Sequence, residues 1–449
     1  MGKVIYLESH KKKGKKIVYK HTIDYPLMVA LILLLCIGLV MVFSSSYYAA
    51  EFRSSTEGDT MYYFIKQLVC VLAGICFMVF FMLFDYHNFY ELDEQKFKWL
   101  GKLKKIPLYW VIIVFAFLTL LLVWTPLGVD INGSHRWINI GISIQPSEIV
   151  KFGMIVFIAC SIGRAPRRVN SFKGGILPYL ILLLCMCIPI YFQPNFSAIV
   201  CLAGLVIIML YLAGCNLWQL LGIVLVGGVL VFILAFAREY RQDRIEGVQD
   251  PLSTYQLKQS MFSLGTGGLF GKGLGNSLQK LLWLPMSESD FIFAIIAEEL
   301  GFAGALAVLL LYAFIIWRGV RIAMYAPDLT GMLLASGVVA IITIQVVFNI
   351  AVVTGLIPTT GIVLPFISYG GSSVLVFMMM MGVLMNVSRQ CGSRVSIDPE
   401  HFSELEEAAQ PSKDVRGDSA RGGHTAAKRS GRQKQAQRKT MKNTSHWEI

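Results

Sequence analysis

Ten long, nearly uncharged apolar stretches alternate with polar segments along this chain. They run over residues 25–46, 62–84, 107–125, 147–162, 175–192, 197–214, 217–237, 290–317, 330–354 and 372–388. About 20 helical residues cross a hydrocarbon core of ~30 Å, so each stretch has the length of a membrane span. The fourth is short by itself and borrows length from the QPSE stretch ahead of it. The pattern predicts an all-α, polytopic membrane protein of about ten transmembrane helices. A large loop, residues 238–289, separates the seventh from the eighth.

Composition agrees with a membrane chain: 55% of residues are hydrophobic, 15% are charged, and the mean hydropathy is +0.61. The tails differ. Residues 1–23 hold seven lysines and no arginine, and residues 389–449 run from an acidic patch, Asp398 to Glu407, into a Lys/Arg/Gly/Ser/Gln-rich stretch. Neither composition buries enough apolar surface to offset chain entropy, so both read as disordered cytoplasmic tails flanking one membrane domain, 24–388. The net charge of +12 would suit nucleic acid, but the excess lies in the tails and short loops. Anionic lipid or acidic partners are the better match, and nucleic acid is not expected. With the N-terminus inside, the inner segments 1–23, 85–106, 163–173 and 318–329 carry eighteen Lys and Arg and the outer segments eight, six of them in 238–289. That bias places both termini in the cytoplasm and the long loop outside. Eight of nine cysteines lie in or beside apolar runs and Cys391 follows the last, which indicates neither a disulfide framework nor a zinc site. The basic N-terminus leads into a run too long for a cleaved signal peptide, so that run reads as the first span.

Four stretches carry candidate chemistry. In 283–301, WLPMSESDFIFAIIAEELG, the carboxylates Asp290, Glu298 and Glu299 enter a membrane helix, where charge is costly and usually retained for function. Asp290 sits where loop becomes helix, the place of an N-terminal cap or of a general base at the membrane face. In 133–151, Arg136 and Trp137 occupy a glycine-containing loop, while Glu148 and Lys151 are three apart on one helix face and can pair. The run GTGGLFGKGLGNSLQK at 265–280 lacks the spacing of a nucleotide-binding P-loop. It is either a surface loop needing unusual backbone angles, or a loop whose amides, with Lys272 or Lys280, approach a phosphate. The stretch 355–373, GLIPTTGIVLPFISYGGSS, is non-helical backbone beside the membrane, which survives only if packed in protein or lining a cavity. It is expected to wall an outer vestibule. Arg136, Lys151, Lys272 and Asp290 on one face suit a polyanionic lipid substrate.

These motifs resemble the SEDS family (shape, elongation, division and sporulation) of bacterial cell-wall synthases over residues 24–390. The anchors are RWI and QPSEIVK within 136–151, GLG-S-QK at 273–280, LP-x-x-x-SDFIFAIIAEELGF at 284–302 and the 355–373 stretch. GKGLGNSLQK looks more like the cell-division (FtsW-type) and sporulation (SpoVE-type) branch than the RodA-type branch. The resemblance implies a peptidoglycan glycosyltransferase that polymerises lipid II on the outer face of the membrane and releases undecaprenyl diphosphate, at the division septum. It implies a class B penicillin-binding protein and other division proteins as partners. It also places the essential carboxylate at Asp290, basic positions at Arg136 and Lys151, and supporting positions at Glu148, Ser368, Gly370 and Gly371. Two departures stand out. QPNFSA at 193–198 has Asn195 and Ser197 where the family often has an acid and a glycine. Upstream of Asp290, Met286 and Glu288 stand where Glu and His are common, leaving Glu288 as a second acid near the site.

The implied chemistry fits these residues. A sugar hydroxyl attacks an anomeric carbon bearing diphosphate, with Asp290 as base on the attacking side. The leaving group needs positive charge more than a proton, which Arg136 and Lys151 can offer. A divalent cation, Mg2+ or Mn2+, can share that task, although no ligand cluster in the sequence demands one and no protein metal site is expected. Two other functions use the same features: a flippase for lipid-linked precursors, which predicts polar residues through the inner half, and a non-catalytic division scaffold, which predicts a dispensable Asp290.

Overall fold

The computed structural model describes residues 16–20, 23–53, 56, 58–90, 107–131, 134–139, 143–236, 254–391 and 393–397. In chain order these form β1 (Lys16–Lys20), α1 (Tyr25–Phe52), α2 (Tyr62–Leu83), α3 (Leu108–Leu122), β2 (Gly128–Ile131), β3 (Ser134–Asn139), β4 (Ser143–Ile144), α4 (Pro146–Arg164), α5 (Leu177–Phe192), α6 (Phe196–Leu212) and α7 (Leu217–Phe236). They continue as α8 (Tyr255–Thr266), α9 (Ile292–Met324), α10 (Leu329–Val353), α11 (Gly371–Gln390) and β5 (Ser393–Ile397). The ten expected spans are α1 to α7 and α9 to α11. Among the described residues seven helices are long and apolar enough to cross a membrane, counting α5 together with the helical turn Phe172–Ile176 ahead of it, and α3, α6 and the apolar part of α7 are shorter.

The described residues fall into two units, one within 20–393 and one holding 16–19 and 394–397. Strands β1 and β5 pair as a two-stranded sheet, so short strands occur in stretches the sequence assigned to disordered tails. The remainder of both tails, including Asp398 to Lys442, lies outside the described residues.

In the membrane unit α4, α10 and α11 are the most enclosed helices. α2 packs along α11, α3 and α10 along α4, and α1 along α9. Helix backbones in a membrane approach closely where side chains are small. Gly382 of α11 shows this: a Cβ there would stand 2.5 Å from the Met78 carbonyl oxygen of α2. One end of the bundle is stitched by capping acids. Asp24 caps α1 by accepting from the Leu27 amide (3.0 Å) and takes the Arg318 guanidinium of α9 (2.6 Å). Asp328 caps α10 through the Gly331 amide (3.0 Å) and accepts from the Tyr86 hydroxyl (2.6 Å). These acids satisfy helix-end amides that lipid would leave unpaired.

The opposite end holds irregular backbone. Arg136 and Trp137, expected in a loop, lie on β3, the middle strand of a three-stranded antiparallel sheet in which Val129 faces Trp137 and Ile138 faces Ile144. The long loop contains α8, unexpected from sequence. Helix α9 is two segments joined at Gly301, whose φ of 71° and ψ of −171° break the helical run.

Candidate functional site

The segment before α9 is held by its carbonyl groups. The carbonyl oxygens of Glu288, Ser289 and Asp290 accept, in order, from the Tyr369 amide (2.9 Å), the Ser368 hydroxyl (2.6 Å) and the Asn349 side-chain amide (2.9 Å). The second Asn349 hydrogen goes to the Ile362 carbonyl oxygen (2.7 Å). Gln67 of α2 donates to the Ser368 carbonyl oxygen (3.2 Å) and accepts from the Gly370 amide (3.3 Å). Gly370 occupies the cap position of α11, and Gly371 is that helix's first residue. Non-helical backbone must find such partners where water is scarce. The 355–370 loop is therefore packed against the segment that carries Asp290.

Asp290 is half-buried and precedes the cap position, which belongs to Phe291 and has no side-chain cap bond. Gly361 shows what lies opposite. A Cβ at Gly361 would stand 3.5 Å from Asp290 Oδ2 and 3.8 and 3.9 Å from the two terminal nitrogens of Arg136. A carboxylate and a guanidinium from residues 154 positions apart in sequence therefore border one small space, kept open by a glycine at φ +45°. Two buried polar atoms nearby in the chain, Arg136 Nε and Thr360 Oγ1, have no hydrogen-bond partner among the described residues. Such atoms need an explanation, and a bound polar group is one.

The other expected charges are committed elsewhere. Lys151 is buried and pairs with Glu148 at 2.5 Å within α4. Glu288 is buried and pairs with Arg53 at 2.6 Å, and Arg53 also donates to the Tyr63 hydroxyl (2.8 Å). Burial alone would lower the Arg53 pKa, but the Glu288 charge and the Tyr63 hydroxyl reverse the effect and raise it. Lys272 pairs with Glu298 at 2.7 Å, and Lys280, almost fully buried, with Glu299 at 2.9 Å, beside the Ser44 hydroxyl of α1. Glu298 also accepts from Ser277 (2.5 Å) and from the Leu278 amide (3.2 Å). Both lysines expected to meet phosphate thus have carboxylate partners within α9.

The glycines of that run also have a packing reason. The amides of Lys272 and Gly273 donate to the carbonyl oxygens of Glu298 and Glu299 (3.0 Å each), and those of Phe302 and Ala303 donate back to Gly268 (2.9 Å) and Leu269 (3.0 Å). A Cβ at Gly267 would lie 2.0 Å from the Ala297 carbonyl oxygen and one at Gly271 2.1 Å from that of Glu299. Only glycine lets the turn lie this close to the helix break.

Asn195 caps α6 by accepting from the Ala198 amide (3.3 Å) and donates to the Ser147 hydroxyl (3.2 Å) at the start of α4. The acid often found there is thus replaced by a structural amide. Among the described residues no three His, Cys, Asp or Glu side chains gather as metal ligands. A divalent cation at Asp290 would draw most of its oxygen ligands from substrate and water. Sequence reasoning missed Arg53, Gln67, Asn349 and Gly361. Asn349, one of two amides with Gln345 in the α10 span, was the visible signal.

A family profile described as a cell cycle protein of the FtsW, RodA and SpoVE group matches residues 25–392. Stage V sporulation protein E of Bacillus subtilis is 40% identical over 82% of this chain and 97% of its own length. Probable peptidoglycan glycosyltransferases FtsW from Trichlorobacter lovleyi and B. subtilis are each 36% identical, over 81% of this chain and 93% and 90% of their own lengths. Among solved structures, a chain from a peptidoglycan synthase complex that coordinates polymerization and crosslinking has a TM-score of 0.64 at 23% identity, covering 82% of this chain and 98% of that one. The rod shape determining protein RodA of Thermus thermophilus has a TM-score of 0.57 at 23% identity, with coverage of 82% and 97%. These two share the fold.

Proposed function

The chain belongs to the FtsW, RodA and SpoVE family of cell cycle proteins, and on that premise we propose a mechanism for it as a peptidoglycan glycosyltransferase. It is a multi-pass membrane enzyme that polymerises lipid II into glycan strands and releases undecaprenyl diphosphate. The observation that carries the mechanism is the shared space at Gly361, bordered by the Asp290 carboxylate and the Arg136 guanidinium.

A sugar hydroxyl of one substrate enters on the Asp290 side. Its oxygen bonds to the anomeric carbon of the other, its proton passes to the Asp290 carboxylate, and the bond to the diphosphate oxygen breaks with inversion. The electron pair leaves on the diphosphate, and Arg136 neutralises it with charge-assisted hydrogen bonds. Three bonded carbonyls in a row fix the Asp290 backbone, so the base is in position before substrate arrives. Lys151, Lys272 and Lys280 support the site through their carboxylate partners. Mg2+ or Mn2+ would add charge at the diphosphate.

The site faces the outside, both termini lie in the cytoplasm, and the protein works at the division septum with a class B penicillin-binding protein and other division proteins. The Lys and Arg distribution supports the orientation. The names of the relatives and the complex containing the structural neighbour support the location and partner.

The test is polymerisation of purified lipid II by wild-type and Asp290→Asn protein, with and without the transpeptidase. The asparagine variant should fold and insert but lose at least ~10²-fold in rate, the low end for a positioned base. Glycan strands made at the wild-type rate by a folded Asp290→Asn protein would end this mechanism.

A further inference from the structure

The turn from Gly267 to Trp283 is built inside out. Its cationic and hydroxyl groups point into the protein: Ser277 and Lys280 are almost fully buried, and Lys272 and Lys280 end on Glu298 and Glu299. Its large apolar side chains point away. Phe270 is 84% exposed and Leu269 68%, and Leu274, Leu278, Leu282 and Trp283 are each more than half exposed. In water a loop sorts its residues the other way, and a contiguous apolar patch marks a surface that something covers.

The position of the turn says what covers it. The turn is hydrogen-bonded to α9 through Glu298, Glu299, Phe302 and Ala303, on both sides of the break at Gly301. From Phe302 to Arg321 α9 runs about 30 Å, the thickness of a hydrocarbon core. Trp317, with the guanidinium groups of Arg318 and Arg321 over its ring at 5.7 and 5.2 Å, has the character of one interface. The helix break and the turn then lie at the other. Phe302, 61% exposed on α9, continues the same apolar surface downward. Buried ion pairs and exposed leucines are the arrangement that a lipid boundary favours, and Trp283 suits the headgroup level.

We propose that the Leu269–Trp283 turn is a membrane anchor, inserted into the leaflet at the Asp290 end of the bundle, with phospholipid acyl chains as its occupant. It moors the long loop so that the 284–290 segment enters the site from a fixed height. The inference rests on the packing of the turn and on the spans, and does not depend on which reaction Asp290 performs.

The experiment uses the full wild-type chain in nanodiscs of phosphatidylglycerol and phosphatidylethanolamine, footprinted with hydroxyl radicals. After scaling for intrinsic reactivity, Phe270, Leu274 and Leu278 should be oxidised as slowly as Phe302. His135, on the polar sheet at the same end of the bundle, should be oxidised at a water-exposed rate. In parallel, a photoreactive phenylalanine placed at 270 or 278 should yield phospholipid adducts by mass spectrometry, and one at Asp130 should not. Oxidation of Phe270 at the scaled rate of His135 would overturn the proposal. So would protection accompanied by crosslinks to a second copy of the chain and no lipid adduct.

Discussion

The Asn349 side chain donates one hydrogen to the Asp290 carbonyl oxygen and the other to that of Ile362. One amide in the last turns of α10 thereby joins the two irregular segments that enclose the site. Asn349→Asp keeps the shape but offers only acceptors when ionised. It should leave a folded protein whose kcat falls about 10- to 100-fold while KM changes little, because a displaced base costs rate more than binding. Steady-state polymerisation of lipid II, with a melting curve as the folding control, checks it. An unchanged kcat would mean that Asp290 is positioned without Asn349.

Gly361 keeps the space between Asp290 and Arg136 clear. Gly361→Ala adds a methyl at ordinary contact distance and strains a left-handed residue, at a cost of about 1–2 kcal/mol. Gly361→Leu should fill the space itself. The expected order of activity is wild type, then alanine, then leucine, with the leucine variant folded and unable to bind a lipid II analogue in a fluorescence titration. Full activity of the leucine variant would move the substrate elsewhere.

Lys280 and Glu299 are a buried pair, so removing one partner should cost roughly 3–5 kcal/mol by stranding the other. Replacing both, Lys280→Met with Glu299→Gln, should recover most of the melting temperature. If Lys280 acts only through Glu299, the double variant also recovers polymerisation. A stable but inactive double variant would return Lys280 to substrate binding.

Lys151 and Glu148 allow a different separation. They pair within α4, the helix that follows the sheet carrying Arg136. Exchanging them, Glu148→Lys with Lys151→Glu, should restore folding lost in Lys151→Ala. Restored glycan synthesis would make the pair structural, whereas a folded, inactive exchange would show that the cation must sit at 151. The second outcome is expected only if the diphosphate reaches into α4.

The sequence by itself determined the spans, since hydrophobic length is a local property and lipid leaves helices few alternatives. It also marked Asp290, Arg136 and the 355–373 loop, because charge and broken helix at a membrane face are conspicuous. Tertiary structure alone decided where the charges from distant segments meet. Glu288, Glu298 and Glu299 look available along the chain, yet each ends on a lysine or arginine of another segment, Arg53, Lys272 and Lys280 in turn. Spacing along a chain records no such distances. The glycine-rich run was ambiguous for a related reason: a glycine required by a phosphate and one required by a neighbouring backbone are identical in sequence. Only the approach of Gly267 to Ala297 and of Gly271 to Glu299 and Gly301 distinguishes them, because excluded volume acts in space and not along the chain.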